Sequence, residues 1–280
     1  MRKLAVLLVF LLAFQSVAFS INLGKTLKTL NKVKKVSAAV RPISEEEEYY
    51  IGRAVAANIL SRYPLLKNEI LSRYIHLAGL ALAYRSQRPE TFGGYHFAVL
   101  DSDEINALSA PGGIIFITRG LLQICENEDE LAAVLAHEIS HIVARDPIKA
   151  IKSERMKGLG AFTAGELAGG GSEVMELFQN TVLDISGTLL QKGYSRTQEK
   201  DADLAALGLL DTCGYEAGAM LQMLKKLESS EKKKAKVFSA HPSCAKRIEY
   251  VGPQVKAVSA SGAFATREAR FRNTRSKSGV

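Results

Sequence analysis

The chain has 280 residues, of which 47% are hydrophobic and 24% charged, with no Trp. This is enough for one substantial domain or two small ones, and the composition is ordinary for a folded protein. The formal net charge of +8 sits on the flanks: residues 1–41 carry +8 and residues 252–280 carry +5, leaving −5 for 42–251. A nucleic-acid partner would need a basic stripe on the folded part, so that class is excluded.

In chain order, Arg2 and Lys3 precede an unbroken apolar run from Leu4 to Phe14. Small residues at Ser16-Val17-Ala18 make residues 1–20 an export signal, with an uncleaved anchor as the alternative. Residues 21–43 form a basic linker. Ser44 with Glu47 is a capping box opening a helix to about Tyr63, with Ile51, Val55 and Ile59 at helical spacing. Pro64 breaks it, and 66–85 reads as a second helix. Tyr95–Leu100 alternates as a strand, 105–109 is a short second strand, Pro111-Gly112-Gly113 is a turn, and Ile114–Thr118 is β-branched and strand-like.

Helices then return. Leu121–Ile124 begins one stretch, and Asn127, Asp129 and Glu130 open the next, which runs to about Arg145 before Pro147. Residues 158–172 are glycine-rich and read as a loop or lid. Helices are expected over 173–191, 195–212 and 215–229, a Lys-rich loop over 230–236, and a last helix from Pro242 to about Tyr250. Residues 256–280 lack apolar periodicity and read as a basic disordered tail. The basic flanks are either solvated tails or a contact for an anionic membrane surface. The fold class is α+β, mainly helical, with one small sheet beside a central helix, in a domain spanning 44–255. Cys125, Cys213 and Cys244 show no CxxC spacing. In an oxidising compartment Cys213 and Cys244 are candidates to pair, or all three remain buried thiols.

The chemistry lies in His137-Glu138-Ile139-Ser140-His141, an HExxH pattern. Residues four apart share a helix face, so both imidazoles can reach one tetrahedral zinc ion, one per chain. Glu138 is then placed to take a proton from a water attacking a peptide carbonyl. The flanking Leu131–Ala136 and Ile142–Ala144 are apolar, and two His and a Glu buried there without a metal would be costly. Glu199 is the candidate third ligand, at the start of Ser195–Asp203. Asp203, four residues on, is placed to accept from the far ring N–H of a ligand His. His241-Pro242 with Arg247 is a further constellation. Arg247 is a candidate to stabilise an oxyanion, and His241 either to do the same or to occupy the metal's open position at rest.

HEISH, then YSRTQEKDAD, then AHPSCAKRI, with DSDEINALSAPGGIIFITRGLL upstream, resembles the gluzincin peptidases of the HtpX and CAAX-prenyl-protease superfamily, most of all soluble periplasmic members of the BepA type. The resemblance spans about 44–252. It implies zinc ligands His137, His141 and Glu199, Glu138 as base and Asp203 behind a ligand. It also implies that Asn106 and an edge strand of Gly113, Ile114, Ile115, Phe116 and on to Thr118 hold an extended substrate by strand addition. His241 and Arg247 match the family's His-Pro…Arg signature, with the His-bearing loop covering the metal. The implied function is a metalloendopeptidase for unfolded or misassembled envelope proteins, exported to a bacterial periplasm or membrane-associated. A chaperone-like assembly factor that binds extended polypeptide and cleaves rarely is the alternative. Oligomeric state is open.

Overall fold

A computed structural model describes residues 42–150, 172–232, 241, 243–255 and 262–279. The export signal, nearly all of the basic linker and the glycine-rich stretch up to residue 171 lie outside them.

Helix α1 (Glu45–Leu60) opens on the expected capping box, with Ser44 and Glu47 exchanging both hydrogen bonds. Its Ile51, Val55 and Ile59 are buried. Helix α2 (Glu69–Ala83) follows, and then a three-stranded sheet of β1 (His96–Leu100), β2 (Ala107–Ala110) and β3 (Ile114–Thr118) in the order β1-β3-β2. Strand β3 pairs parallel with β1 and antiparallel with β2. The side chains of β3 alternate between two apolar cores, as a pleated strand requires. Ile115 and Ile117 pack with the long central helix, and Phe116 packs with α1.

This topology corrects the sequence reading of residues 113–118. Strand β3 is central, paired on both edges, and Ile115 and Phe116 are buried. It has no backbone edge to offer a substrate. Strand order depends on long-range pairing, which alternation along one segment does not encode. The edge beside the central helix belongs to β2. The turn between β2 and β3 (Pro111–Gly113) lies on α1, where Gly52 is required: a Cβ there would sit 1.9 Å from the Pro111 carbonyl oxygen. Glu48 secures the same contact, accepting from Gly112 N and from the Arg88 guanidinium.

The remaining elements are α3 (Arg119–Ile124), the central α4 (Glu128–Val143), a short α5 (Asp146–Lys149), α6 (Ser172–Gly187) continued by a π turn (Thr188–Lys192), α7 (Arg196–Thr212), α8 (Gly218–Lys232), α9 (Cys244–Val251) and α10 (Gly262–Ser278). Helix α4 is buried along nearly its whole length, walled by α2, α7, α8 and β2. The α+β class with one small sheet is as expected. No helix among the described residues is long and apolar enough to cross a membrane. No disulfide joins Cys125, Cys213 and Cys244.

Helix α10 is a second correction, because its residues were expected to be disordered. It packs on α2 and α4 through Phe271, which is 2% exposed. Arg267 forms a two-pronged pair with Asp129 at 2.7 and 2.8 Å, and Arg270 pairs with Glu128. Arg275 donates to the Cys125 carbonyl. The segment shows little amphipathic pattern because its stability comes from arginines meeting acids some 140 positions upstream.

Candidate metal centre

Helix α4 starts at Asn127, whose side chain accepts from Glu130 N at 2.9 Å. Two turns later His137 and His141 project from one face, with their Nε2 atoms 3.2 Å apart. Helix α7 packs across this face. A capping box of Ser195 with Gln198 fixes its start, and Gln198 also donates to Asp146 Oδ1 at 3.0 Å. That start places Glu199, fully buried, against both histidines: Oε2 lies 3.6 Å from His137 Nε2 and Oε1 lies 3.7 Å from His141 Nε2.

A carboxylate behind each imidazole sets its tautomer. His137 Nδ1 lies 2.9 Å from Asp203 Oδ1, and His141 Nδ1 lies 2.9 Å from Asp146 Oδ2. These partners assign the ring protons to Nδ1 and leave the two Nε2 lone pairs facing each other. Asp203 was expected in this role and Asp146 was not. The sequence signal for Asp146 is weak, because it folds back under His141 only through Arg145, the one non-glycine residue with positive φ among those described (φ 56°, ψ 33°).

Arg247 grips Asp203 with Nε at 2.8 Å and Nη2 at 2.6 Å, and Tyr250 donates to the same carboxylate at 2.7 Å. Burial pushes the Asp203 carboxyl up, but the Arg247 and His137 charges overcome it and hold Asp203 well below the usual carboxylate range. Two of the three Arg247 nitrogens are thus occupied by Asp203, and Nη1 lies 3.8 Å from Glu199 Oε2. The oxyanion role expected of Arg247 gives way here to a clamp on the carboxylate behind His137. Burial, then the Arg247 charge, lower the His137 pKa, favouring the neutral imidazole that a metal ligand must be. For Glu199, burial again acts upward, but His241 outweighs it, with His137 and Arg247 adding, and the carboxyl is held at about 2.

His241 lies over the group. Its Nδ1 is 2.8 Å from Glu199 Oε1, and its ring centroid is 5.4 Å from that of His137. Glu138 is 2% exposed and lines a pocket with His137, Asn106, Met220, His241 and Arg247. Asn106 is thus part of this pocket wall, whereas Gly113, Ile114, Ile115 and Phe116 do not line it. Tyr194, which sequence reasoning did not single out, packs its ring on His141 with centroids 4.3 Å apart.

The donor set fits a tetrahedral cation. His137, His141, Glu199 and His241 each offer a ligand atom, all within 4.8 Å of one another. Four ligands at roughly 2.0–2.1 Å from a zinc ion lie about 3.3 Å apart, close to the spacings observed. More telling, Glu199 Oε2 is buried with no hydrogen-bond partner. With the ring protons on Nδ1, it faces imidazole nitrogens that carry no proton, so an acceptor meets acceptors, with only the Arg247 guanidinium 3.8 Å away to offset them. Such an arrangement is unfavourable until a cation enters.

The comparisons agree with this geometry. The model for peptidase family M48 matches residues 69–252. The chain is 28% identical over 214 residues to a β-barrel assembly-enhancing protease of Yersinia pestis, covering 74% of this chain and 43% of that protein. It is 33% identical over 157 residues to the mitochondrial metalloendopeptidase OMA1 of Schizosaccharomyces pombe, covering 52% of this chain and 42% of that one. It is 24% identical over 163 residues to the metalloprotease LoiP of Escherichia coli (strain K12), covering 58% and 63%. The chain spans less than half the length of the first two. On its sequence match across most of the folded region, the chain belongs to peptidase family M48.

Proposed function

We propose that this chain is a zinc-dependent endopeptidase that hydrolyses peptide bonds of unfolded or misassembled proteins of the bacterial cell envelope. The observation that carries the reading is the unfinished triad of His137, His141 and Glu199, with an orphaned carboxylate oxygen. When bound there, zinc supplies Lewis acidity, which lowers the pKa of a water toward about 7 and polarises a carbonyl. Glu138, beside His137 on the pocket wall, takes the proton of the attacking water and returns it to the leaving amine. Asp203 and Asp146 keep the ligand imidazoles in one tautomer, and Arg247 keeps Asp203 ionised. The catalytic domain is assigned to residues 44–255.

An extended polypeptide is held on β2, the strand edge next to the metal group, with Asn106 at its start. The envelope substrate class rests on the relatives named for β-barrel assembly, and export to the periplasm or to its membrane surface is the compartment this implies. His241 restrains the enzyme at rest. Its contact with Glu199 supports that role, and it also favours the second reading, a chaperone-like assembly factor that binds polypeptide and cleaves rarely.

The test is casein cleavage by the zinc-loaded protein beside Glu138→Gln and His241→Ala. Chelator-sensitive cleavage by wild type, abolished in Glu138→Gln and raised in His241→Ala, is the expected pattern. Cleavage by Glu138→Gln at the wild-type rate would remove the mechanism. Tight polypeptide binding without cleavage, even in His241→Ala, would favour the second reading.

A further inference from the structure

Glu199 Oε2 is not the only unfinished oxygen at this centre. Ser109 Oγ and Tyr194 Oη are also buried, and neither makes a hydrogen bond within 3.5 Å, their nearest polar neighbour being each other. They line one small pocket together with Glu138, His241 and Leu108. Ser109 stands on β2, the strand edge facing the metal group, and is fully buried. Tyr194 leaves the turn at Gly193, whose positive φ of 71° redirects the chain between the π turn and α7. Its ring is fixed against His141.

A buried hydroxyl left unbonded costs about 1–3 kcal/mol, and a phenol in an apolar setting ordinarily finds an acceptor. A tyrosine phenol keeps its proton near neutral pH and can donate it in a hydrogen bond. Of the other donors near Glu138, Arg247 holds Asp203 through two nitrogens and His241 holds Glu199 through Nδ1. Peptide hydrolysis turns a carbonyl oxygen into an oxyanion, and a preorganised donor aimed at that oxygen is the standard means of stabilising it.

We propose that Tyr194 is a further catalytic residue, whose hydroxyl donates a hydrogen bond to the carbonyl oxygen of the peptide bond under attack. This rests on the endopeptidase reading above. Water adds to the carbonyl carbon while Glu138 takes its proton; the C–N bond then breaks and the amine takes that proton. Tyr194 keeps its own proton throughout and only donates the hydrogen bond. Tyr194 lines the pocket beside Glu138 and His241, where a substrate carbonyl would supply its acceptor.

The test compares zinc-loaded wild type with Tyr194→Phe, which keeps the ring on His141 and removes one oxygen. Peptide turnover, zinc content and thermal midpoint are measured in parallel. The expected result is a kcat lowered about 10- to 100-fold with KM little changed, full zinc content, and a midpoint close to wild type. Unchanged kcat would overturn the inference and leave the endopeptidase reading standing. A lower midpoint with zinc loss would also overturn it, making the hydroxyl a structural support for His141. A zinc-loaded wild type, and an equally loaded His241→Ala, that hydrolyse no peptide would remove the endopeptidase reading and this inference with it.

Discussion

Helix α4 carries buried ionisable groups at two places, and they are in opposite condition. At its N-terminus Glu128, Asp129 and Glu130 are each 1% exposed, and each is closed by partners. Glu128 accepts from Tyr74 at 2.6 Å, Tyr215 at 3.0 Å and Arg270. Asp129 accepts from both prongs of Arg267 and from Glu216 N, and Glu130 from Lys226 and Glu126 N. Around His137 and His141, Glu199 is equally buried, yet one of its oxygens has no hydrogen-bond partner and two imidazole lone pairs face it. Burial of charge is therefore common to both places. What separates them is completion: the closed end anchors α10 and the helix start, whereas the open group awaits a cation.

Substitutions at the two places should respond differently, and that difference can be broken experimentally. The largest effect is expected at Glu138. Its replacement by Gln should lower peptide turnover about 10²- to 10⁴-fold while zinc content stays at the wild-type level, measured on the same preparation. At the closed end, Asp129→Ala leaves Arg267 without its partner and should destabilise the fold by about 3 kcal/mol in urea unfolding. The metal-free protein carrying Glu199→Gln should lose less, because the amide oxygen can still accept from His241 Nδ1 and Oε2 has no hydrogen bond to give up. Equal losses in the two variants would erase the distinction. A smaller effect is expected one layer out: Asp203→Asn should weaken zinc binding about 10- to 100-fold in a competition titration, by loosening the His137 tautomer. Unaltered affinity would show that Asp203 and Arg247 serve only the packing of α7 on α9.

The open group was largely legible in the sequence, and the closed one was not. His137, Glu138 and His141 share one helical turn, so their juxtaposition follows from 3.6 residues per turn alone. Glu199 was legible only as a candidate, from the need for a third ligand and its spacing to Asp203, and the resemblance strengthened it, since nothing local ties α7 to α4. Asp146 depended on the left-handed backbone at Arg145, and Tyr194 on the π turn before it; neither leaves a periodic trace. Residues 262–279 offered almost no apolar pattern, yet one phenylalanine and three arginines dock them: Arg267 and Arg270 meet the acidic first turn of α4, and Arg275 meets the Cys125 carbonyl just before it. Strand spacing identified β2 and β3 but not which of them is the edge, an outcome of pairing that becomes visible only in three dimensions.

The central claim, that the unfinished His137–His141–Glu199 group is completed by a metal, is tested most directly by titrating zinc into the metal-free protein and into Glu199→Gln, with the thermal midpoint followed in each. The account predicts one zinc per wild-type chain with a raised midpoint, about 2.7 kcal/mol of added stability when free zinc is a hundredfold above the dissociation constant. It predicts markedly weaker binding and little shift in the variant. Wild type that takes up no zinc, or a variant that binds it equally well, would contradict the account.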